Sequence, residues 1–308
     1  MLEINLSGLK LKSPLILASG ILGVSFSSMK RVIDNGAGAV TTKSIGPKPR
    51  KGFKNPSIIE IYPGTFLNAV GLANPGIEEF VLEIKKIKKF DFPLIVSVFG
   101  NTNESYCDVA IQAENAGADA IEINISCPHA KVSSIGIDAN LTFSLVKLLK
   151  EALNVPLFVK LNPNVTNLGE IALAAEKAGA NGVVAINTLA AMSIDVKTKM
   201  PILSHGSGGL SGKAIHPIAM KKVYDLYKLL KIPIIGCGGI DSWRDVVEFF
   251  LAGASAVQIG TALHKGVEIL TEINEGIIRY LKEYEYDSIN DIKGLAHQFK
   301  IQEVPDFD

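Results

Sequence analysis

Asn115-Ala-Gly-Ala-Asp-Ala-Ile-Glu-Ile-Asn124 is the stretch from which the fold is read. A helical pattern ends at a glycine set between alanines, and a short apolar run follows at once. The phrase returns as Asn35-Gly-Ala-Gly-Ala-Val40, Lys177-Ala-Gly-Ala-Asn-Gly182 and Leu251-Ala-Gly-Ala-Ser-Ala256, leading into apolar runs at 39–42, 182–187 and 256–260. Glycine supplies the left-handed residue that ends a helix, and alanine lets helix and strand approach closely. A second phrase alternates with the first: Phe92-Pro-Leu-Ile-Val-Ser97, Val155-Pro-Leu-Phe-Val-Lys160 and Ile232-Pro-Ile-Ile-Gly236. Here proline opens a strand that is apolar on both faces, the pattern of a parallel sheet covered by helices.

With Pro14–Ala18 added, the phrases predict eight strands, near 14–18, 38–42, 94–98, 120–124, 156–160, 182–187, 233–236 and 256–260. Helical patterns lie near 26–35, 75–89, 104–116, 140–153, 167–178, 215–230, 242–252 and 262–283. Asn74 before Pro75 predicts a helix start, a cap followed by proline at the first helical position. Eight β-then-α units of this kind predict an α/β fold, a (β/α)8 TIM barrel. A doubly wound sheet would need fewer strands and a nucleotide fingerprint after the first. The nearest glycine cluster, Gly206-Ser-Gly-Gly-Leu-Ser-Gly212, has the wrong spacing for one and follows no strand. Two connections, 43–75 and 187–215, are longer than the unit requires and leave the C-terminal strand ends, where barrel loops build active sites. No linker or composition break appears, so residues 1–308 read as a single domain, with 283–308 as a C-terminal cover.

Lys+Arg and Asp+Glu both count 31 in 308 residues, so neither a nucleic-acid groove nor a polybasic membrane patch is indicated. Three cysteines (Cys107, Cys127 and Cys237), widely spaced and without CxxC, argue for reduced thiols and against a disulfide frame or a protein-held iron–sulfur cluster. Pro14–Phe26 is uncharged but interrupted by Pro, Gly and Ser, and shorter than the ~18 residues of a spanning helix. The expectation is a cytoplasmic protein with no membrane segment. No metal-ligand spacing joins His205, His216, His264 and His297, which read as surface or loop residues.

The strand exits carry the chemistry: Ser19-Gly20, Lys43-Ser44, Ser97, Asn124, Lys160, Asn187-Thr188, Gly238-Gly239 and Gly260-Thr261. In a barrel these converge on one mouth. A lysine at a strand end is ordinarily a snorkelling surface residue, but two of them, each just past an apolar run, point to function. The glycine turns after strands seven and eight occupy places where barrels hold phosphate with backbone amides. Ordinary turn chemistry also favours glycine, and a phosphate beside a lysine suits flavin mononucleotide, pyridoxal phosphate or a sugar phosphate equally well. Just beyond strand four, Ile125-Ser-Cys-Pro-His-Ala130 holds Cys127 outside regular structure, because proline restricts the residue before it. A free cysteine is often a buried, inert residue, so context decides.

The chain resembles the dihydroorotate dehydrogenases of class 1, most closely the class 1B catalytic subunit. The resemblance runs through Asn68-Ala-Val-Gly-Leu-Ala-Asn-Pro-Gly76, Glu122-Ile-Asn-Ile-Ser-Cys-Pro128, Val159-Lys-Leu-Asn-Pro-Asn-Val165, Ile186-Asn-Thr-Leu189, Gly208-Gly-Leu-Ser-Gly212 and the turn at 236–240. Class 2 members differ in a membrane-associating N-terminal extension and in a serine where this chain has Cys127. The resemblance implies a flavin mononucleotide (FMN) enzyme oxidising dihydroorotate to orotate in pyrimidine synthesis. Cys127 would be the base at C5, with hydride leaving C6 for flavin N5. Lys160 would face the flavin N1/O2 edge, and Lys43 would lie between flavin and the substrate carboxylate. Asn68, Asn124, Asn187 and Thr188 would hydrogen-bond the substrate ring, since an amide offers both donor and acceptor. Ala69, Val70, Gly71 and Leu72 would form the loop beneath it. The flavin positions implied are Ser19, Gly20, Lys43, Ser44, Ser97, Asn124, Lys160, Ile186, Gly212, Gly238, Gly239, Gly260 and Thr261.

Two departures stand out. His129 replaces a common Asn in the implied substrate set, and Ser97 stands where many relatives have Asn. The resemblance further implies a homodimer core and electron transfer to NAD through a separate subunit with FAD and a 2Fe-2S cluster, since no cluster or NAD fingerprint is encoded here. Rival readings are another acceptor such as fumarate or a quinone, a dihydropyrimidine dehydrogenase-like activity, a colourless sugar-phosphate barrel, or a non-catalytic scaffold subunit.

Overall fold

Strands that are apolar on both faces need cover on both, and the chain answers with a closed sheet inside a ring of helices. A computed structural model describes residues 1–90, 92–125 and 135–299. The barrel strands are β1 (Leu15–Leu17), β2 (Ala39–Thr41), β3 (Leu94–Val98), β4 (Ala120–Asn124), β5 (Leu157–Lys160), β6 (Gly182–Ala185), β7 (Ile234–Cys237) and β8 (Ala256–Ile259). Each pairs in parallel with its neighbour in sequence, and β8 closes on β1 through Val257 with Leu15 and Ile259 with Leu17. The outer helices are α1 (Phe26–Asp34), α2 (Ile77–Ile87), α3 (Asn103–Ala116), α4 (Ala139–Ala152), α5 (Leu168–Lys177), α6 (His216–Leu229), α7 (Trp243–Leu251) and α8 (Ile269–Glu283). Buried side chains such as Leu15, Ile16 and Leu17 on β1 and Phe249 and Phe250 on α7 belong to one continuous core. Each large apolar side chain so buried contributes about 1.5–3 kcal/mol relative to exposure.

The repeated phrase behaves as its glycine demands. Gly117 ends α3 in the left-handed region, φ 113°, its N–H donating to the carbonyls of Ala113 and Glu114. Gly36, Gly179 and Gly253 repeat the conformation, with φ of 97°, 98° and 110°.

Three expectations need adjustment. Asn74 is not the cap of α2: its side-chain carbonyl accepts from Gly46 N and Gly76 N, tying two loops together, and the helix begins at Ile77. The last helical pattern is broken in two. A 3-10 turn spans Thr261–Lys265, Gly266 takes a φ of 114°, and α8 starts only at Ile269. Most informative are the two long connections, which are not separate loops. Ile58–Tyr62, Thr65–Asn68, Ser207–Gly212 and Leu189–Met192 form one antiparallel sheet over the C-terminal strand ends, with its own small core of Leu67, Ala69 and Leu203. The opposite end is covered by a hairpin, Ile4–Leu6 with Leu9–Leu11, whose Ser7 hydroxyl donates to Asn181 O just before β6. Beyond α8, Ile289 and Ile292 are fully buried. Among the described residues no helix is long and apolar enough to cross a membrane.

Replacing Gly117 by Ala forces an ordinary residue into the left-handed region and should cost about 1–2 kcal/mol, read as a lower urea midpoint at unchanged m-value. Gly117→Asn should lose less, because Asn tolerates this region. An added Cβ would lie 3.0 Å from Lys88 Cγ, so equal losses in both variants would make crowding, not backbone conformation, the cause.

Candidate active site

The polar strand ends meet as a continuous row. The Ser44 hydroxyl, almost fully buried, lies 3.0 Å from that of Ser97 and 3.3 Å from that of Ser19. Asn124 Nδ2 donates to Ser44 Oγ at 3.0 Å, and Asn187 Nδ2 to Asn124 Oδ1 at 3.4 Å. Asn187 Oδ1 in turn accepts from the Thr188 N–H at 2.8 Å. Residues leaving β1, β2, β3, β4 and β6 are thus tied side to side, and Tyr106 from α3 anchors the row by donating to Asn124 O at 2.8 Å. Asn68 reaches the group from the antiparallel sheet. Its amide donates to Gly209 O at 3.2 Å, and Thr188 packs against Gly209 so closely that a Cβ there has no room. Ala69 is nearly buried beneath this sheet, whereas Val70, Gly71 and Leu72 are held by Phe53 and Asn74 instead of by the row.

Lys160 is only 6% exposed at the end of β5. Its ammonium donates to Gln258 Oε1 at 2.5 Å and to Cys237 Sγ at 3.3 Å. An ammonium has three N–H donors, so one remains without a described partner. Lys43 is half buried, makes no side-chain hydrogen bond or ion pair with a described residue, and burial lowers its pKa. Neither lysine has a carboxylate in contact among the described residues, an arrangement that favours an anionic ligand.

The glycine turns form the other wall. Gly238 and Gly239 hold φ of 138° and 67° after β7. A Cβ on Gly238 would lie 2.7 Å from Ala219 Cβ, and one on Gly239 2.7 Å from His216 Cβ and 2.8 Å from Gly212 O. The bare backbone of these turns is thus a condition of close packing, and the turns at Gly212 and Gly239 touch. Asp241 ties three turns together by accepting from Lys213, which follows Gly212, and from Lys265, which follows Gly260 and Thr261. Partial burial pushes the Asp241 carboxyl up, but the hydrogen bonds from Lys265 and Lys213 outweigh it and hold the pKa at about 2. Ile186 is buried and donates its N–H to Cys237 O, joining β6 to β7 at the same end. Gly20, φ 96°, borders open space.

Cys127 and His129 lie outside the described residues. Of the other cysteines, Cys107 sits on α3, where burial first, then Asp108 and Glu104, push its thiol up. Two histidines depart from the surface-residue reading. His216 is buried between Gly239 O at 3.2 Å and Glu248 Oε2 at 2.8 Å, and His297 stacks on Tyr224. Ligand-type atoms of His216, Asp245 and Glu248 lie within 4.8 Å of one another. Lys213, 3.0 Å from Asp245, already supplies a cation there. This grouping draws on α6 and α7, so no local spacing could reveal it.

Sequence reasoning also passed over Glu122 and Gln258, both fully buried inside the barrel and linked to Lys160. The signal was present: each is the polar residue within an otherwise apolar strand, Ala120-Ile-Glu-Ile and Ala256-Val-Gln-Ile.

A closed (β/α)8 barrel with cationic, amide and hydroxyl groups converging at its C-terminal mouth is the architecture of a barrel enzyme. The family model for dihydroorotate dehydrogenase matches residues 1–281. Among curated relatives, "Dihydroorotate dehydrogenase B (NAD(+)), catalytic subunit" of Pyrococcus abyssi is 52% identical over 301 residues, covering 96% of this chain and 99% of that one. The protein of the same name from Methanocaldococcus jannaschii is 48% identical over 305 residues, covering 97% and 99%. A crystal structure of dihydroorotate dehydrogenase from Eimeria tenella in complex with ferulenol shares the fold, with a TM-score of 0.85 at 22% identity over 96% of this chain and 89% of that one. The chain belongs to the dihydroorotate dehydrogenase family, and is an oxidoreductase of the type its named relatives represent.

A buried cation without a counter-charge destabilises the fold that holds it. Lys43→Met should therefore raise the thermal midpoint of ligand-free protein, as shown by differential scanning fluorimetry. Because the folded-state pKa of Lys43 lies below the ordinary 10.5, the penalty is fully present below that lowered value. It disappears as pH rises through the folded value towards 10.5, where only the unfolded chain still gains the proton. The gain from Lys43→Met should shrink across that window. A variant less stable than wild type at neutral pH would mean that Lys43 is paired.

Proposed function

We propose that this chain, acting as one domain, oxidises dihydroorotate to orotate in pyrimidine synthesis with bound FMN. The observation that carries this reading is the pair of lysines at one mouth, Lys160 with a donor to spare and Lys43 without any described partner. Orphaned cationic donors in a buried site fit a ligand that is anionic or becomes so. The uncharged substrates of a dihydropyrimidine dehydrogenase would leave Lys43 without a partner.

The residues suit FMN in three respects. The backbone at Gly238, Gly239 and Gly212 is packed with no space for side chains, a bare backbone that suits close approach of a phosphate. Ser19, Ser44, Ser97 and Asn124 supply short polar groups in one row, joined by Gly20, Ile186, Gly260 and Thr261 at neighbouring strand ends. Lys160 offers its remaining N–H where negative charge is stabilised best, in a site screened from water. Bound FMN would supply the acceptor for the hydride that leaves substrate C6.

The chain's own residues do the remainder. Lys43 would hold the substrate carboxylate, and Asn68, Asn124, Asn187 and Thr188 would read the alternating N–H and C=O groups of the ring. Asn187 and Asn124 already orient one another, so both amides are set before substrate arrives. Ala69–Leu72 would contribute the loop under the ring. Cys127 would remove the C5 proton and His129 would assist it. An imidazolium beside a thiol favours the thiolate that the base requires.

NAD stands in the names of the curated relatives, and so do the words "catalytic subunit". No dinucleotide fingerprint occurs in this sequence. We therefore infer a separate electron-transfer subunit, carrying FAD and a 2Fe-2S cluster, and place the reaction in the cytoplasm.

An anaerobic absorption spectrum tests the reading directly. Purified protein should be yellow and should bleach on addition of dihydroorotate, while dihydrouracil leaves it unchanged. A colourless protein that takes up no FMN defeats the proposal. Cys127→Ala should retain the yellow colour but bleach ~10²–10⁴-fold more slowly, the usual worth of a positioned base. His129→Asn should keep turnover and shift its pH profile; an unchanged profile removes His129 from the proton transfer.

A further inference from the structure

Three buried groups run from the barrel centre to Lys160. Glu122 on β4 is completely buried, and its Oε2 accepts from Gln258 Nε2 at 2.5 Å. Gln258 on β8 is 1% exposed, donates also towards Thr41 Oγ1 at 3.3 Å, and accepts from Lys160 Nζ at 2.5 Å. Glu122 Oε1 has no hydrogen-bond partner among the described residues. A buried polar atom left in that condition costs free energy, and such a cost at the foot of a functional side chain calls for a reason.

The chemistry of the three groups permits one orientation of the amide. An ammonium only donates, and a carboxylate oxygen only accepts. Gln258 must therefore present its carbonyl to Lys160 and its NH2 to Glu122. We propose that Glu122 is a positioning residue: by holding the Gln258 amide in this sense, it fixes the Lys160 ammonium so that its remaining N–H faces the cofactor. Without an acceptor at 122, the Gln258 NH2 loses its tether, the side chain is free to swing away from the ammonium, and Lys160 loses its aim. Cys237, a weak acceptor 3.3 Å away, cannot restore it. The inference rests on the FMN reading only for what Lys160 faces; the relay itself lies within the described residues.

The test is a set of variants read by potential and by structure. In FMN-loaded protein, Glu122→Met should cut the preference for reduced over oxidised flavin about tenfold, which lowers a two-electron midpoint by ~30 mV. Glu122→Gln, which keeps an acceptor oxygen of the same reach, should stay within about twofold of wild type and also serves as the folding control. Gln258→Leu should equal Glu122→Met, and the double variant should be no worse than either, since both break one chain. A Glu122→Met midpoint equal to that of wild type overturns the relay. So does a Glu122→Gln loss as large as that of Met, since charge rather than orientation would then be at work. Lys160→Met separates this from the underlying reading: if it leaves the midpoint unmoved, the FMN placement fails. The relay is then decided by a crystal structure of ligand-free Glu122→Met, where a retained Lys160–Gln258 contact overturns it and a broken one supports it.

Discussion

Lys160 sits at the end of a barrel built almost wholly of aliphatic side chains, and water reaches it scarcely at all. Removing an ammonium from water costs several kcal/mol unless hydrogen bonds replace the lost solvation. Here the replacements are Gln258 and Cys237, with Glu122 one amide further away. A carboxylate in direct contact would have neutralised the charge and left nothing for a ligand. An amide in between satisfies the donor while leaving most of the positive field directed into the mouth. Much of the site follows from that constraint, because the same shortage of solvent ties most neighbouring polar groups to partners within the protein.

The row from Ser19 to Thr188 is the visible result. Each member is a short side chain whose hydrogen bond is made to the next strand end, so positions set by strand register become positions of donors and acceptors. Closure of the barrel turns a sheet edge into a ring, and the register of β8 on β1 brings the last glycine turn beside the first strand. Asp241 then locks three turns with two lysines, a surface counterpart of the buried relay. Cover over this mouth comes from a second sheet assembled from two connections far apart in sequence. Its Asn68 bonds Gly209, and Gly209 packs against Thr188, so the second sheet and the barrel share the site.

Much of this was legible in the residue order. The Gly-Ala phrases and proline-opened strands place seven helices and all eight barrel strands to within two residues, because helix termination and two-faced burial are local properties of composition. Polar strand ends are likewise visible, since each stands just past an apolar run. Misplaced features share a physical character. Asn74 has the composition of a helix cap, yet a competing pair of backbone donors from two loops claims its side chain. The last helix breaks at Gly266, where a permissive residue can follow either course and packing decides.

By itself, the sequence determined the repeating unit, the barrel class and the family resemblance through motifs such as those that hold Cys127 and Lys160. Only the tertiary structure decided which polar groups touch. The joining of 58–68 with 189–212 into one sheet, the burial of His216 against Gly239 and the Glu122–Gln258–Lys160 relay all pair residues distant in the chain. Local patterns encode backbone conformation and burial, which depend on neighbours in sequence. Hydrogen-bond partners inside a barrel depend on closure and register, which exist only once all eight strands are in place.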